Sequence, residues 1–121
     1  MRPVFLSHMP EVIHGLIFVI DSLDDLECSN TIDEACDGLR WLLESDVFCD
    51  VPLLVLANKQ DDPRAKSPEV ISSRITRYPG MDRVLCNRKW HLQATSGISA
   101  DGLKEGLEWL VSQIPGQGVI L

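Results

Sequence analysis

The residues best equipped for chemistry are Asn58-Lys59-Gln60-Asp61, which follow directly on the apolar run Leu53-Leu54-Val55-Leu56-Ala57. An amide, an ammonium on a long stem and a carboxylate thus leave the end of a buried strand together. A carboxylate accepts two parallel hydrogen bonds from a purine edge with adjacent N–H and NH₂ donors, an edge that guanine has and adenine lacks. The lysine stem can lie along a ring face while its ammonium stays in water. A bare N-K-x-D is common in polar turns, and its place after a buried strand is what gives it weight. Ser96-Gly97-Ile98 stands in a matching place after residues 90–95. Backbone N–H groups there can meet an acceptor such as a guanine O6, although alone this stretch also fits a plain turn.

These residues need a scaffold, and the pattern of apolar residues supplies one. Residues 15–20 read as a strand covered on both faces and ended by Asp21. Asp24 or Asp25 starts a helix whose stripe is Ile32, Ala35, Cys36, Leu39, Leu42 and Leu43. Residues 52–57 give a second strand. Ser67-Pro68-Glu69 starts a helix, with a serine cap, proline in the first turn and an acid behind it. That helix reaches about Tyr78, before Pro79-Gly80, and a loop leads to a third strand at 90–95. A final helix carries Leu103, Leu107, Leu110, Val111 and Ile114. Strand and helix alternate, which implies a parallel sheet flanked by helices, with ligands at the carboxyl ends of its strands. Asp21 and the loops at 58–61 and 96–101 all lie at those ends.

Composition narrows the function. A chain of 121 residues is expected to form one domain, and 45% hydrophobic with 24% charged residues is ordinary for a globular protein. A net charge of −7 argues against nucleic acid and anionic lipid as partners. Cys28, Cys36, Cys49 and Cys86 form no C-x-x-C pair, so free thiols in a reducing, cytoplasmic setting are expected. The longest apolar run, residues 16–20, is too short for a membrane span, and position 2 is Arg rather than the Gly of an N-myristoylation site. No direct membrane anchor is expected. Two rival readings are weaker. Asp21, Asp24 and Asp25 around a divalent cation compete with acids at a helix start. A hydrolase built on Ser96, His91 and Asp101 lacks a G-x-S-x-G elbow.

Three stretches together resemble a known family. Gly15-Leu16-Ile17-Phe18-Val19-Ile20-Asp21-Ser22, then Ala57-Asn58-Lys59-Gln60-Asp61, then Gln93-Ala94-Thr95 with Asp101-Gly102-Leu103-Lys104-Glu105-Gly106-Leu107-Glu108-Trp109-Leu110 resemble the ADP-ribosylation factor-like (Arf/Arl) branch of the small GTPases, over about residues 14–114. The resemblance implies an α/β, parallel-sheet fold of the P-loop GTPase type, here truncated to roughly its last three strands and their helices. It implies that Asn58 and Asp61 contact guanine, that Lys59 packs against base and sugar, and that Ser96-Gly97-Ile98 forms the second guanine-contacting loop. Gly97 replaces the usual Ala and keeps a backbone N–H. Ile98 replaces a polar or cationic residue, which bears on base affinity, and Asp62 stands where Leu is common.

The 121 residues contain no G-x-x-x-x-G-K-[ST] and no W-D-x-G-G-Q. The parts that cradle phosphates, hold Mg²⁺ and orient water in such GTPases are therefore not expected here. The reading is a C-terminal half that keeps the guanine moiety of GTP or GDP as its ligand, weakly, with hydrolysis and Mg²⁺ binding not expected. The alternative is a non-catalytic interaction module. The strand at 15–20 is expected to lack a neighbour on one edge and to self-associate or bind a protein partner. Residues 1–14 read as a separate helical segment with Phe5, Leu6, Met9 and Ile13 on one face, interrupted by Pro10, and 115–121 as a flexible tail. Roles in vesicle traffic, peripheral to membranes through partners, follow from the resemblance alone.

Overall fold

The computed structural model describes residues 13–24, 31–48, 50–96 and 100–114. Residues 1–12 of the helical segment expected over 1–14, the tail after residue 114, and Gly97 and Ile98 lie outside the described residues, and residues 13 and 14 are not helical. Strands β1 (Leu16–Asp21), β2 (Leu53–Asn58) and β3 (Trp90–Ala94) form a parallel sheet in the order β1-β2-β3. Helices α1 (Ile32–Leu43), α2 (Pro68–Arg77), α3 (Met81–Leu85) and α4 (Leu103–Ser112) complete the α/β fold.

The strands lie where the sequence places them, with one shift that matters. Asp21 belongs to β1 rather than ending it, because the Ser22 N–H still donates to the Asn58 carbonyl at 3.3 Å. Asp21 therefore stands opposite Asn58, and Ala57 opposite Ala94, so the polar strand ends are level.

β2 alternates between two cores. Leu53, Val55 and Ala57 pack with Ile20 and with the buried stripes of α1, α2 and α3. Leu54 and Leu56 face the other way, onto Leu110, Leu107 and Trp109 of α4. Helices on both faces leave β2 buried along its first five residues. The outer strand differs from expectation: Ile17 is 42% and Val19 56% exposed. The physical reason is that α4 lies over β2 and β3, so nothing described covers this face of β1.

Two helix starts also differ. α1 begins at Ile32, capped by Thr31, whose Oγ1 accepts from the Glu34 N–H at 3.1 Å. Asp24, expected at the helix start, sits in the left-handed region at φ +56° and caps from a distance. Its Oδ1 accepts from the Ile32 N–H at 2.7 Å and its Oδ2 from Arg74 of α2 at 2.6 Å. Arg74 also reaches Asp33 at 3.0 Å. α3 was not legible as a helix: five residues with two buried anchors, Met81 and Leu85, are too short to show a period. Gly80, at φ +82°, makes the turn into it. Ser67 does cap α2, accepting from the Val70 N–H at 3.2 Å. Among the described residues no helix is long and apolar enough to cross a membrane.

Candidate functional site

β2 ends at Asn58 and the next residue turns sharply: Lys59 adopts φ +65°, a left-handed conformation costing a non-glycine residue about 1 kcal/mol. The turn aims the Gln60 N–H at the Thr95 carbonyl, 3.0 Å away beyond the end of β3. It also sends the Lys59 side chain the other way, where Nζ meets Asp21 Oδ2 at 2.9 Å. Burial pushes the Asp21 carboxyl up, but the Leu23 N–H at 2.9 Å and the Lys59 ammonium outweigh it and hold it below the ordinary value. The hydrogen bond that Lys59 donates to Asp21 correspondingly raises the Lys59 ammonium.

Thr95 and Ser96 fix the other two motif residues. Thr95 Oγ1 donates to Asn58 Oδ1 at 3.1 Å. Ser96 Oγ donates to Asp61 Oδ1 at 3.0 Å. Both hydroxyl-bearing residues are buried, at 6% and 7% exposure, which makes these braces more rigid than a surface contact. Each brace occupies one oxygen and leaves the functional end open. Among the described residues nothing engages the Asn58 Nδ2 donors or the Asp61 Oδ2 acceptor. The charge pattern fits a donor-bearing base edge: an exposed carboxylate oxygen beside an amide that can donate and accept.

The expected second loop is only partly described. The Ser96 N–H donates to the Asp101 carbonyl at 3.1 Å, so that amide is not offered to a ligand. Ser96 acts on Asp61 through its side chain instead. A cleft of about 280 Å³ lies beside this brace, lined by Gln60, Asp61, Thr95, Ser96, Asp101 and Gly102. Gly102 closes its floor at φ +85°, where a Cβ would sit 2.0 Å from the Ala94 carbonyl oxygen. A larger hollow, about 650 Å³, lies between α2 and β3 beside Ser72, Thr76 and Trp90, away from the strand ends.

Of the residues of the divalent-cation reading, Asp21 and Asp24 are each held by a cation of the chain, and Asp25 lies outside the described residues. His91 stacks on Trp109 at 5.2 Å and touches Gln93 at 3.1 Å, while the Ser96 hydroxyl faces Asp61. Asp62, in the position where Leu is common, pairs with Arg64 at 2.9 Å, which helps hold its carboxyl down to about 2.

Comparison with known families decides what kind of chain this is. The model of the ADP-ribosylation factor family matches residues 1–114. The chain belongs to that family. The match begins at residue 1, ahead of the region around His14 where the quoted motifs start. The three-stranded parallel sheet is consistent with part of the fold of an Arf-like small GTPase. Thr95 and Ser22 are the Arf-chain residues that sequence reasoning passed over. In the structure each hydroxyl stands at the first position past its strand, level with the N-K-x-D turn, whereas strand ends read at residues 20 and 95 put neither there.

Proposed function

We propose that these residues form the base-recognition part of an Arf-type guanine-nucleotide site. The observation that carries this is the pair of buried braces, from Thr95 to Asn58 and from Ser96 to Asp61, which point an amide and a free carboxylate oxygen outward. Asp61 accepts from the two adjacent donors of guanine, Asn58 contributes its amide, and the Lys59 stem lies along the base. Gly97 and Ile98 complete the contact from the second loop.

Most affinity for a nucleoside triphosphate comes from charge-assisted contacts to its phosphates. The 121 residues have no phosphate loop, so they bind the guanine moiety of GTP or GDP weakly, with neither Mg²⁺ binding nor hydrolysis of their own. Calorimetric titration of the chain with GTP in Mg²⁺ tests this. The reading expects a dissociation constant weaker than micromolar, and nanomolar binding contradicts it.

A specific observation favours an interaction role beside base binding. Leu16 and Ser22 direct their N–H groups toward β2, so Ile17 and Val19, at odd positions, turn theirs to the edge that no described strand pairs with. Their side chains are exposed as well. An edge of this kind pairs with another strand, from a second copy or a protein partner. The setting is cytoplasmic, peripheral to membranes through partners, and of the vesicle-traffic type that the family suggests.

A further inference from the structure

The turn that carries Asn58, Lys59 and Asp61 is tied to the sheet at one further point, outside the residues that face a base. Gln60 is half-buried and turns its side chain away from the base side. Its Nε2 donates to Ser22 Oγ at 2.8 Å and to the Lys66 carbonyl at 2.9 Å. The Lys66 N–H in turn donates to the Ser22 carbonyl at 2.8 Å. Ser22 is fully buried at the end of β1. Gln60 is thus pinned twice: its backbone N–H to Thr95 beyond β3, and its side chain to Ser22 beyond β1. The turn is stretched across the carboxyl end of the whole sheet, with both outer strands as anchors.

This matters for Asp61 because it is the next residue. Among the described residues its carboxylate has one side-chain brace, from Ser96. The Gln60 side chain holds the opposite flank of the same turn. Misplacement of a recognition group by a fraction of an ångström weakens a bidentate contact, which depends on geometry at both of its bonds.

We propose that Gln60 and Ser22 are positioning residues that fix the 58–66 turn across the sheet and thereby set discrimination for the guanine 2-amino group. The second half rests on the base-recognition reading above; the first half does not. The test compares the wild-type chain with Gln60→Met, which keeps length and removes both hydrogen bonds, and Ser22→Ala, which removes one. Two readouts separate the parts.

The first readout is amide hydrogen exchange by NMR at Gln60 and Lys66. Each lost bond corresponds to roughly threefold to tenfold in local opening. The expected result is faster exchange confined to 59–66, larger in Gln60→Met than in Ser22→Ala, with amides of β2 unchanged. Unchanged exchange in the turn overturns the brace, and uniformly faster exchange throughout assigns Gln60 a merely structural role and overturns it as well.

The second readout is the ratio of GMP to IMP affinity, since IMP keeps N1–H and lacks the 2-amino donor. The expected result is a preference for GMP in the wild type that falls roughly threefold to tenfold in Gln60→Met. A preserved ratio in the variant overturns the discrimination role. Absence of any GMP preference in the wild type overturns base recognition itself, while the exchange data still decide the brace.

Discussion

Replacing Gly102 by alanine tests how the cleft floor is built. Gly102 combines φ +85° with a Cβ position only 2.0 Å from the Ala94 carbonyl oxygen, where real Cβ contacts stay beyond 3.0 Å. The methyl group therefore forces the start of α4 away from the end of β3 by roughly 1 Å. The left-handed conformation itself costs a Cβ-bearing residue about 1–2 kcal/mol. The movement also strains two hydrogen bonds, from the Ser96 N–H to the Asp101 carbonyl and from the Gly106 N–H to the Gly102 carbonyl, both 3.1 Å. Each is worth about 1 kcal/mol, so a total loss of about 3–4 kcal/mol is expected. The internal comparison is Gly38→Ala, because nothing lies within 4 Å of its Cβ position in the interior of α1. That change stabilises by about 0.5–1 kcal/mol through helix propensity alone. Urea unfolding followed by circular dichroism reads both as shifts in midpoint at constant slope. A Gly102→Ala chain within 1 kcal/mol of wild type, or one as stable as Gly38→Ala, refutes the packing described here.

Further outcomes follow from the charges, thiols and open edge. Burial raises the Asp24 carboxyl, but the Ile32 N–H and Arg74 outweigh it, so its folded value lies below the ordinary 3.8. A depressed folded value gives stability that is complete above about pH 4 and is lost as pH falls below that. Arg74→Met, which breaks the partly buried bridge to Asp24 and Asp33, therefore costs about 1–2 kcal/mol at pH 7 and flattens acid unfolding below about pH 4, read by fluorescence. Burial, then the nearby Asp33 carboxylate, push the Cys36 thiol up to about 11, so mapped disulfide-reagent labelling at pH 8 marks exposed Cys86 at once and Cys36 only on unfolding. Light scattering of the wild-type chain is expected to show concentration-dependent association that Val19→Lys abolishes; a monodisperse wild-type monomer contradicts the edge reading.

The sheet and most of its helices were legible because their signals are local. A continuously apolar run marks β2, and a Ser-Pro-Glu start marks α2. What escaped was set by tertiary contact. Asp24 looks like a helix start by type, yet reaches α1 only through the Ile32 N–H and Arg74, a pairing between residues fifty positions apart. The exposure of Val19 depends on where α4 lies, which no periodicity within β1 encodes. The candidate site was legible as motif residues, while the assignment of braces was not: Ser96 holds Asp61 by its hydroxyl, Thr95 holds Asn58, and Gln60 turns its back on the base to grip Ser22.

The central claim is that guanine recognition survives here without phosphate recognition. Its most direct measurement is an NMR titration of the isotopically labelled chain with GMP, with AMP as the matched control. The account predicts saturable shifts at Asn58, Asp61, Thr95 and Ser96 with millimolar GMP and none at these positions with AMP. Equal shifts with the two nucleotides, or shifts centred away from these residues, would contradict it.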